Sequence, residues 1–172
     1  KGIAPNERTY TTIINTHCKD LSQAVEFLNE MEAKGIAPNE RTYTTIINNH
    51  CNDLYQAVEF LKEMEEKGIA PDEVTYTTII SNHCKDLTQA VEFLKEMEAK
   101  GIAPDEVTYT SIINKGYTTF EEAKGLLEEM EKEKGIELNV MTYTSIINKC
   151  CTNRKEMEYF LKEMEKKKIK PN

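Results

Sequence analysis

The residues of this 172-residue sequence that could do chemistry recur at a fixed interval. A His-Cys pair occurs at residues 17–18, 50–51 and 83–84, and imidazole and thiolate groups are common zinc ligands. Adjacent helix residues point about 100° apart, and equivalent positions of packed helices lie about 10 Å apart. Four ligands would therefore not converge on one ion about 2 Å away. We expect no metal or other cofactor, and we interpret these pairs as packing between helices.

A second recurring set of side chains is polar and mostly uncharged. Arg8, Thr11 and Asn15 follow one another at spacings of three and four, which places them on one face of a helix. Such a line suits hydrogen bonding to a ligand in a groove. We find no nucleophile elbow, phosphate-binding loop or separated acid–base pair, so we expect a binding protein and not an enzyme. The later equivalents of Asn15 are Asn48, Ser81, Asn114 and Asn148.

The interval between these residues is an internal repeat. Lys1, Lys34, Lys67, Lys100 and Lys134 each precede Gly-Ile, with spacings of 33, 33, 33 and 34 residues. A fixed period of this length is typical of a solenoid, in which each unit buries its apolar face against its neighbours. The predicted organisation is the tail of a preceding repeat at 1–6, then repeats at 7–39, 40–72, 73–105, 106–139 and 140–172.

Each repeat is predicted to form two antiparallel helices. Tyr10 begins an apolar stripe at helical spacing, and Asn6 is placed to cap the first helix. Asp20 and Gln23 have the spacing of a capping box, in which Gln23 reaches back to the N–H of Asp20. Gly35 would end the second helix in a left-handed conformation. The predicted fold is therefore all-α, an α-solenoid of five helix-turn-helix repeats, and its uncapped ends could allow homodimerisation.

The net charge of −8 argues against a polyanionic partner unless the charge is unevenly placed. The five segments from the start of each first helix to the following turn sum to +2, so the rest of the chain carries −10. We therefore expect the acidic residues on the outer face of the second helices. Examples are Glu26, Glu30, Glu59, Glu63, Glu92 and Glu96.

The cysteines and apolar runs bear on location. An odd number of cysteines, five, and the lack of a secretory leader favour reduced thiols in an intracellular compartment. There is no run of about 18 apolar residues, so we expect no membrane span. The sequence begins at KGIAPN and not at Met, and we interpret it as an array cut from a longer protein or designed as such.

The repeated phrase TYTTII…C…A…F…EM…KGIAP resembles the pentatricopeptide repeat family over the whole chain. The resemblance rests on the Thr-Tyr pair at 9–10, Ala24, the Glu-Met pair at 30–31 and the Gly-Ile-x-Pro turn, all of which recur. It implies a right-handed superhelix that binds single-stranded RNA along its first helices, one base per repeat, and an organellar location. The repeats lack two residues of the family's usual unit between Cys18 and Ala24, which we expect to change the pitch.

The resemblance also implies which side chains choose each base. In the family, one follows the Tyr of the Thr-Tyr pair and the other follows the turn Pro. Thr with Asn favours adenine and Thr with Asp favours guanine, which implies the target 5′-AGGAA-3′. Asp can only accept hydrogen bonds and guanine offers N–H groups, whereas Asn suits the mixed edge of adenine. The implied base-reading pairs are Thr11 with Asn39, Thr44 with Asp72, Thr77 with Asp105, Thr110 with Asn139, and Thr144 with Asn172.

Two further sets of contacts follow from the resemblance. A residue just before each Thr-Tyr pair would pack between neighbouring bases, and an Arg there could stack its guanidinium plane on a base. A Lys after the repeated Cys would contact phosphate, here Lys19 and Lys85. The base-packing residues would be Arg8, Arg41, Val74, Val107 and Met141.

The residues leave alternatives open. The Asn and Asp before each first helix are also good N-caps, which could account for them without any ligand. The chain could instead bind a protein or peptide, through the groove or through acidic residues such as Glu59 and Glu92. It could also be a designed or excised structural array without a native ligand.

Overall fold

The computed structural model describes residues 4–116 and 119–170, and all regular secondary structure within them is helical. The helices of repeats 1 to 3 are α1 (Glu7–His17), α2 (Leu21–Ala33), α3 (Glu40–His50), α4 (Leu54–Glu66), α5 (Glu73–Thr78) and α6 (Leu87–Ala99). Those of repeats 4 and 5 are α7 (Glu106–Gly116), α8 (Phe120–Glu128), α9 (Val140–Cys150) and α10 (Arg154–Lys166). Helices α5 and α8 continue as π-helical turns, Ile79–His83 and Glu129–Glu133. The all-α prediction is confirmed.

The chain divides into two compact units, residues 1–83 and residues 84–172. In the first unit α1 packs on α2 and α3, and α3 packs on α4 and α5. In the second unit α7 packs on α6 and α9, and α9 packs on α8 and α10. Within each unit, then, a first helix contacts both a second helix and the first helix of the next repeat. This is the packing that a solenoid of helical hairpins requires.

Side-chain caps begin the helices, with one difference from the sequence prediction. Oδ1 of Asn6 accepts the N–H of Thr9 at 3.0 Å, and Oδ1 of Asp20 accepts that of Gln23 at 2.9 Å. The Gln23 side chain, however, accepts the N–H of Lys19 at 3.0 Å, so the prediction that it returns to Asp20 was wrong. Because only three residues connect α1 and α2, the backbone N–H of Lys19 faces the first turn of α2, where the Gln23 side chain lies. The same contact joins Asn52 to Gln56 and Lys85 to Gln89.

The second helices end as predicted at a left-handed residue. Gly35 has a φ of 72°, and the N–H of Ile36 donates to the carbonyl of Met31 at 3.0 Å. This pattern closes the last turn and directs the chain into the next repeat. In the last repeat Lys168 takes the equivalent place with a φ of 58°.

In repeats 1 and 2 the buried Tyr of the first helix is hydrogen-bonded to the second helix of the same hairpin. The hydroxyl of Tyr43 donates to Glu63 at 3.0 Å, and Lys67 donates to Glu63 at 2.8 Å and to Glu32 of the preceding repeat at 2.5 Å. Burial raises the pKa of Tyr43 to about 12. Glu63 therefore has a structural partner on the first helix in addition to the outer position that the sequence predicts.

The extra residue of repeat 4 lies in a π-helical turn. Met130 is five residues before Gly135, whereas Met97 is four residues before Gly101. The π-helical turn Glu129–Glu133 covers this stretch, and such a turn accommodates one additional residue without ending the helix. The helix thus closes at a left-handed glycine despite the insertion, since Gly135 has a φ of 66°.

Across the part of the chain that the structure describes, no helix has the length and apolar character needed to cross a bilayer.

Candidate nucleic-acid interface

Two concavities lie next to each other on the first unit. The one on repeat 1 has a volume of about 590 Å³, and its lining includes Arg8, Thr11 and Asn39 together with Arg41 of repeat 2. These are the predicted base-reading pair of repeat 1 and the predicted base-packing residues of repeats 1 and 2. The fold thus brings together four residues that lie up to 33 positions apart in the sequence.

The second concavity repeats this arrangement one unit further along. It has a volume of about 490 Å³, and its lining includes Thr44 and Asp72, the predicted reading pair of repeat 2. Arg41 and Val74, the predicted base-packing residues of repeats 2 and 3, also line it. Arg41 therefore contributes to both concavities, as a side chain packed between two consecutive bases would.

The predicted reading residues Asn39 and Asp72 are also N-caps, and capping uses only one of their two side-chain polar atoms. Oδ1 of Asn39 accepts the N–H of Thr42 at 3.1 Å and its hydroxyl at 3.2 Å. Oδ1 of Asp72 accepts the corresponding groups of Thr75, both at 2.8 Å. The other atom is an Nδ2 donor in Asn39 and an Oδ2 acceptor in Asp72. Capping and ligand recognition are therefore compatible at the same residue.

The remaining residues of this type follow the same plan where the structure describes them. Oδ1 of Asp105 accepts the N–H of Thr108 at 2.7 Å, and Oδ1 of Asn139 accepts the N–H groups of Met141 at 2.6 Å and Thr142 at 3.4 Å. Asn172, the last predicted reading residue, lies outside the described residues.

The predicted reading threonines are less available than the sequence reasoning expected. Thr11 lines its concavity but is only 6% exposed, and its hydroxyl lies 3.0 Å from that of Thr42 in the next helix. Thr44 makes the same contact with Thr75 at 2.9 Å. The hydroxyl is drawn inward because it extends the hydrogen-bond network of the next cap. Of the other members, Thr77 and Thr110 are half-buried and Thr144 is exposed.

The predicted base-packing residues all reach solvent. Val74, Val107 and Met141 are 59%, 57% and 61% exposed, although apolar side chains of this size are usually buried. Arg8 and Arg41 are exposed as well. An exposed apolar side chain at the same place in three repeats is available to contact a flat ligand.

Four amide side chains form a hydrogen-bonded chain between consecutive first helices, and Asn15, Asn48 and Asn49 line the second concavity. Nδ2 of Asn49 donates to Oδ1 of Asn15 at 2.6 Å, and Nδ2 of Asn48 donates to Oδ1 of Asn49 at 2.6 Å. Nδ2 of Asn82 donates to Oδ1 of Asn48 at 2.7 Å. The sequence reasoning identified Asn15 and Asn48 but missed Asn49 and Asn82. The signal was present, because a polar residue follows the Asn15 position in these three repeats.

The predicted phosphate-binding lysines lie in the connections between the two helices of their repeats. Lys19 and Lys85 are both exposed, and the backbone N–H of each donates to a Gln of the following helix. Lys19 is not among the residues that line the two concavities.

The His-Cys pairs of the internal repeats pack between helices. Nε2 of His50 lies 2.8 Å from the carbonyl oxygen of Ile14, and Nε2 of His83 lies 2.8 Å from that of Ile47. Burial raises the pKa of the Cys51 thiol to about 12, so this thiol stays protonated at neutral pH. No cluster of three or more potential metal ligands occurs among residues 4–116 and 119–170.

Comparison with known families identifies the family of this chain. The PPR repeat family matches residues 5–52, and the pentatricopeptide repeat domain matches residues 59–116 and 125–172. The chain belongs to the pentatricopeptide repeat family. No curated protein matches it.

Solved structures of this family resemble the chain. One is the pentatricopeptide repeat protein PPR10 in complex with an 18-nt psaJ RNA element, 26% identical with a TM-score of 0.74 over 99% of this chain and 25% of that one. PPR10 from maize is 30% identical, with a TM-score of 0.68 over 99% of this chain and 26% of that one. The chain thus spans about a quarter of the length of PPR10.

A more distant structure shares the fold. The PPR domain of Arabidopsis thaliana protein-only RNase P 1, solved in complex with tRNA, is 14% identical with a TM-score of 0.59. The match covers 88% of this chain and 84% of that one.

Proposed function

We propose that the chain binds single-stranded RNA, one base per repeat, with 5′-AGGAA-3′ as its preferred sequence. The observation that carries the proposal is that Asn39 and Asp72 each use one of their two side-chain polar atoms for the cap. Capping fixes Oδ1, and the second atom belongs to a residue that lines a concavity. The Oδ2 acceptor of Asp72 suits the N–H groups of guanine, and the Nδ2 donor of Asn39 suits the ring nitrogen of adenine.

The walls of the concavities support the same function. Arg41 and Val74 are exposed in the wall of the second concavity, which also contains Asp72. A base inserted there would stack on a guanidinium plane and contact an apolar side chain. A volume of about 490 Å³ is ample for one base.

The relatives support RNA as the partner. PPR10 was solved with an RNA element, and the PPR domain of RNase P 1 was solved with a tRNA. The bases read by this chain, an organellar location and dimerisation through its ends stay predictions. Near the C-terminal end, Met157 and Leu161 of α10 are large apolar side chains that are each more than a third exposed.

The test is a titration of labelled r(AGGAA), flanked by uridines, against the protein and its Asp72→Asn/Asp105→Asn variant at low salt. The variant should prefer r(AAAAA), with a change of about five-fold or more per altered base, since a good side-chain–base contact is worth about 1–3 kcal/mol. Both substitutions keep Oδ1 and therefore the cap, so stability to urea should change by less than about 0.5 kcal/mol.

The matched control is Asp53→Asn/Asp86→Asn. It makes the same chemical change in two caps of second helices, which do not line either concavity. This control should keep the preference for r(AGGAA). Equal binding of every RNA, by both variants and the original chain, would contradict sequence reading and favour a peptide-binding or purely structural array.

A further inference from the structure

An acidic residue directly follows the cap of each first helix in repeats 1 to 4. These are Glu7, Glu40, Glu73 and Glu106, and repeat 5 has Val140 at the same place. Most acidic residues of the chain lie on the second helices, so these four are exceptions. Their position beside the predicted reading residues raises the question of what they contact.

In repeat 1 the carboxylate of Glu7 binds the reading pair itself. Nδ2 of Asn39 donates to Oε1 of Glu7 at 3.0 Å, and the hydroxyl of Thr11 lies 3.5 Å from the same oxygen. Glu7 also lines the concavity of repeat 1. Both predicted reading side chains thus contact one carboxylate oxygen inside the space that a base would enter.

The second unit contains the same contact. In repeat 4, Nδ2 of Asn139 donates to Oε2 of Glu106 at 2.5 Å. Oε1 of Glu106 accepts the hydroxyl of Thr142, whose N–H is capped by Asn139, at 2.7 Å. The contact therefore accompanies Asn in two different repeats, in two separate units of the chain.

Repeats that carry Asp cannot form this contact. The ionised carboxylate of Asp72 has no N–H to donate, and Glu40 is exposed in the wall of that concavity. A carboxylate oxygen placed against an amide N–H occupies the site that the acceptor nitrogen of adenine would take. Glu7 and Glu106 thus act as substitutes for the base, and only in the repeats predicted to read adenine.

We propose that Glu7 and Glu106 are specificity-determining residues that hold the reading amides of Asn39 and Asn139 in the RNA-free protein. Adenine must displace a carboxylate to bind at these two repeats, whereas guanine meets no such competitor at repeat 2. This inference rests on the proposed RNA-binding function. It predicts that removal of the carboxylate strengthens binding at the adenine positions.

The test compares Glu7→Val with Glu73→Val, which remove the same charge from equivalent positions, and Glu73 lines neither concavity. Valine is compatible with the site because Val140 occupies it in repeat 5. Binding to r(AGGAA) and r(UGGAA) is measured for both variants and the original chain. Glu7→Val should increase the preference for adenine at the first base by about five-fold, the value of one hydrogen bond. Glu73→Val should leave that preference unchanged.

Three results would overturn the proposal. Equal gains in both variants would mean that only the charge matters, and weaker binding by Glu7→Val would mean that Glu7 orients Asn39 for the base. The third result comes from NMR of the protein without RNA. The side-chain amide protons of Asn39 should exchange with water faster in Glu7→Val than in the original chain. Unchanged exchange would show that the Asn39–Glu7 contact is absent in solution. Failure of the proposed function is separate, because then the original chain would show no RNA selectivity at all.

Discussion

At the residue scale, the N-cap side chains leave one polar atom that the cap does not use, so the proposed recognition of a base is compatible with folding. A helix start leaves backbone N–H groups without partners, and Oδ1 of Asn39 or Asp72 satisfies one of them. Asn and Asp differ only in the atom that this cap does not use. Asn and Asp can therefore both cap the helix, and the second atom can be a donor or an acceptor without loss of the cap.

His50 offers a prediction about stability at the same scale. A carbonyl oxygen can only accept, so Nε2 of His50 carries the proton and donates to Ile14, in the last turn of α1. His50→Ala would leave that buried carbonyl unpaired, and we expect a loss of about 1–3 kcal/mol in the free energy of unfolding, measured in urea.

His17→Ala is the control for this substitution. His17 occupies the same place in repeat 1 but is exposed, so its loss should change the free energy of unfolding by less than about 0.5 kcal/mol. Equal losses for both variants would mean that the carbonyl contact contributes nothing.

At the scale of the helix, the hairpin tolerates variation in length at defined places. The connection between the paired helices is only three residues in repeat 1, Cys18 to Asp20, and its caps still form. In repeat 4 an additional residue is absorbed by the π-helical turn Glu129–Glu133. Both adjustments lie outside the residues that face the concavities, so the packing of the first helices is kept.

Deletion of Glu133 should test this view of repeat 4. Glu133 is exposed, and its removal restores the four-residue spacing between Met130 and the glycine at the end of the helix. We expect a change of less than about 1 kcal/mol in the free energy of unfolding, because the other repeats already close with that spacing. Deletion of Ala99 from repeat 3, which has no extra residue, should cost more than about 2 kcal/mol. Equal costs would show that the π-helical turn is not an insertion site.

At the scale of the whole molecule, the charge of the chain constrains the proposed binding of RNA. The net charge is −8, and the two lysines predicted to contact phosphate are exposed. Under the proposed function, affinity for RNA comes mainly from stacking and hydrogen bonds, since general attraction to a polyanion is weak.

The salt dependence of RNA binding gives the corresponding prediction. With phosphate contacts only from Lys19 and Lys85, a plot of log affinity against log salt should have a slope of about −1.4, at about 0.7 per contact on a single strand. Lys19→Ala/Lys85→Ala should bring the slope close to zero. A slope of about −2.8, the value for four contacts, would show that Arg8 and Arg41 also bind phosphate, and would contradict their assignment as residues that only stack on bases.

The sequence by itself determined the period, the two helices of each repeat, their caps and the face that carries Arg8, Thr11 and Asn15. These are local properties, because helical spacing and capping depend on residues within a few positions of each other. The family resemblance then supplied the residues predicted to read bases.

Only the tertiary structure decided which atoms of those residues remain accessible. The hydroxyl of Thr11 turns inward to Thr42, and the amide of Asn39 turns to Glu7, across separations of 31 and 32 residues. No local pattern encodes these contacts, since they arise when consecutive hairpins stack and bring the start of one first helix against the next. The carboxylates that we propose as competitors for the amides of Asn39 and Asn139 became visible only through that packing.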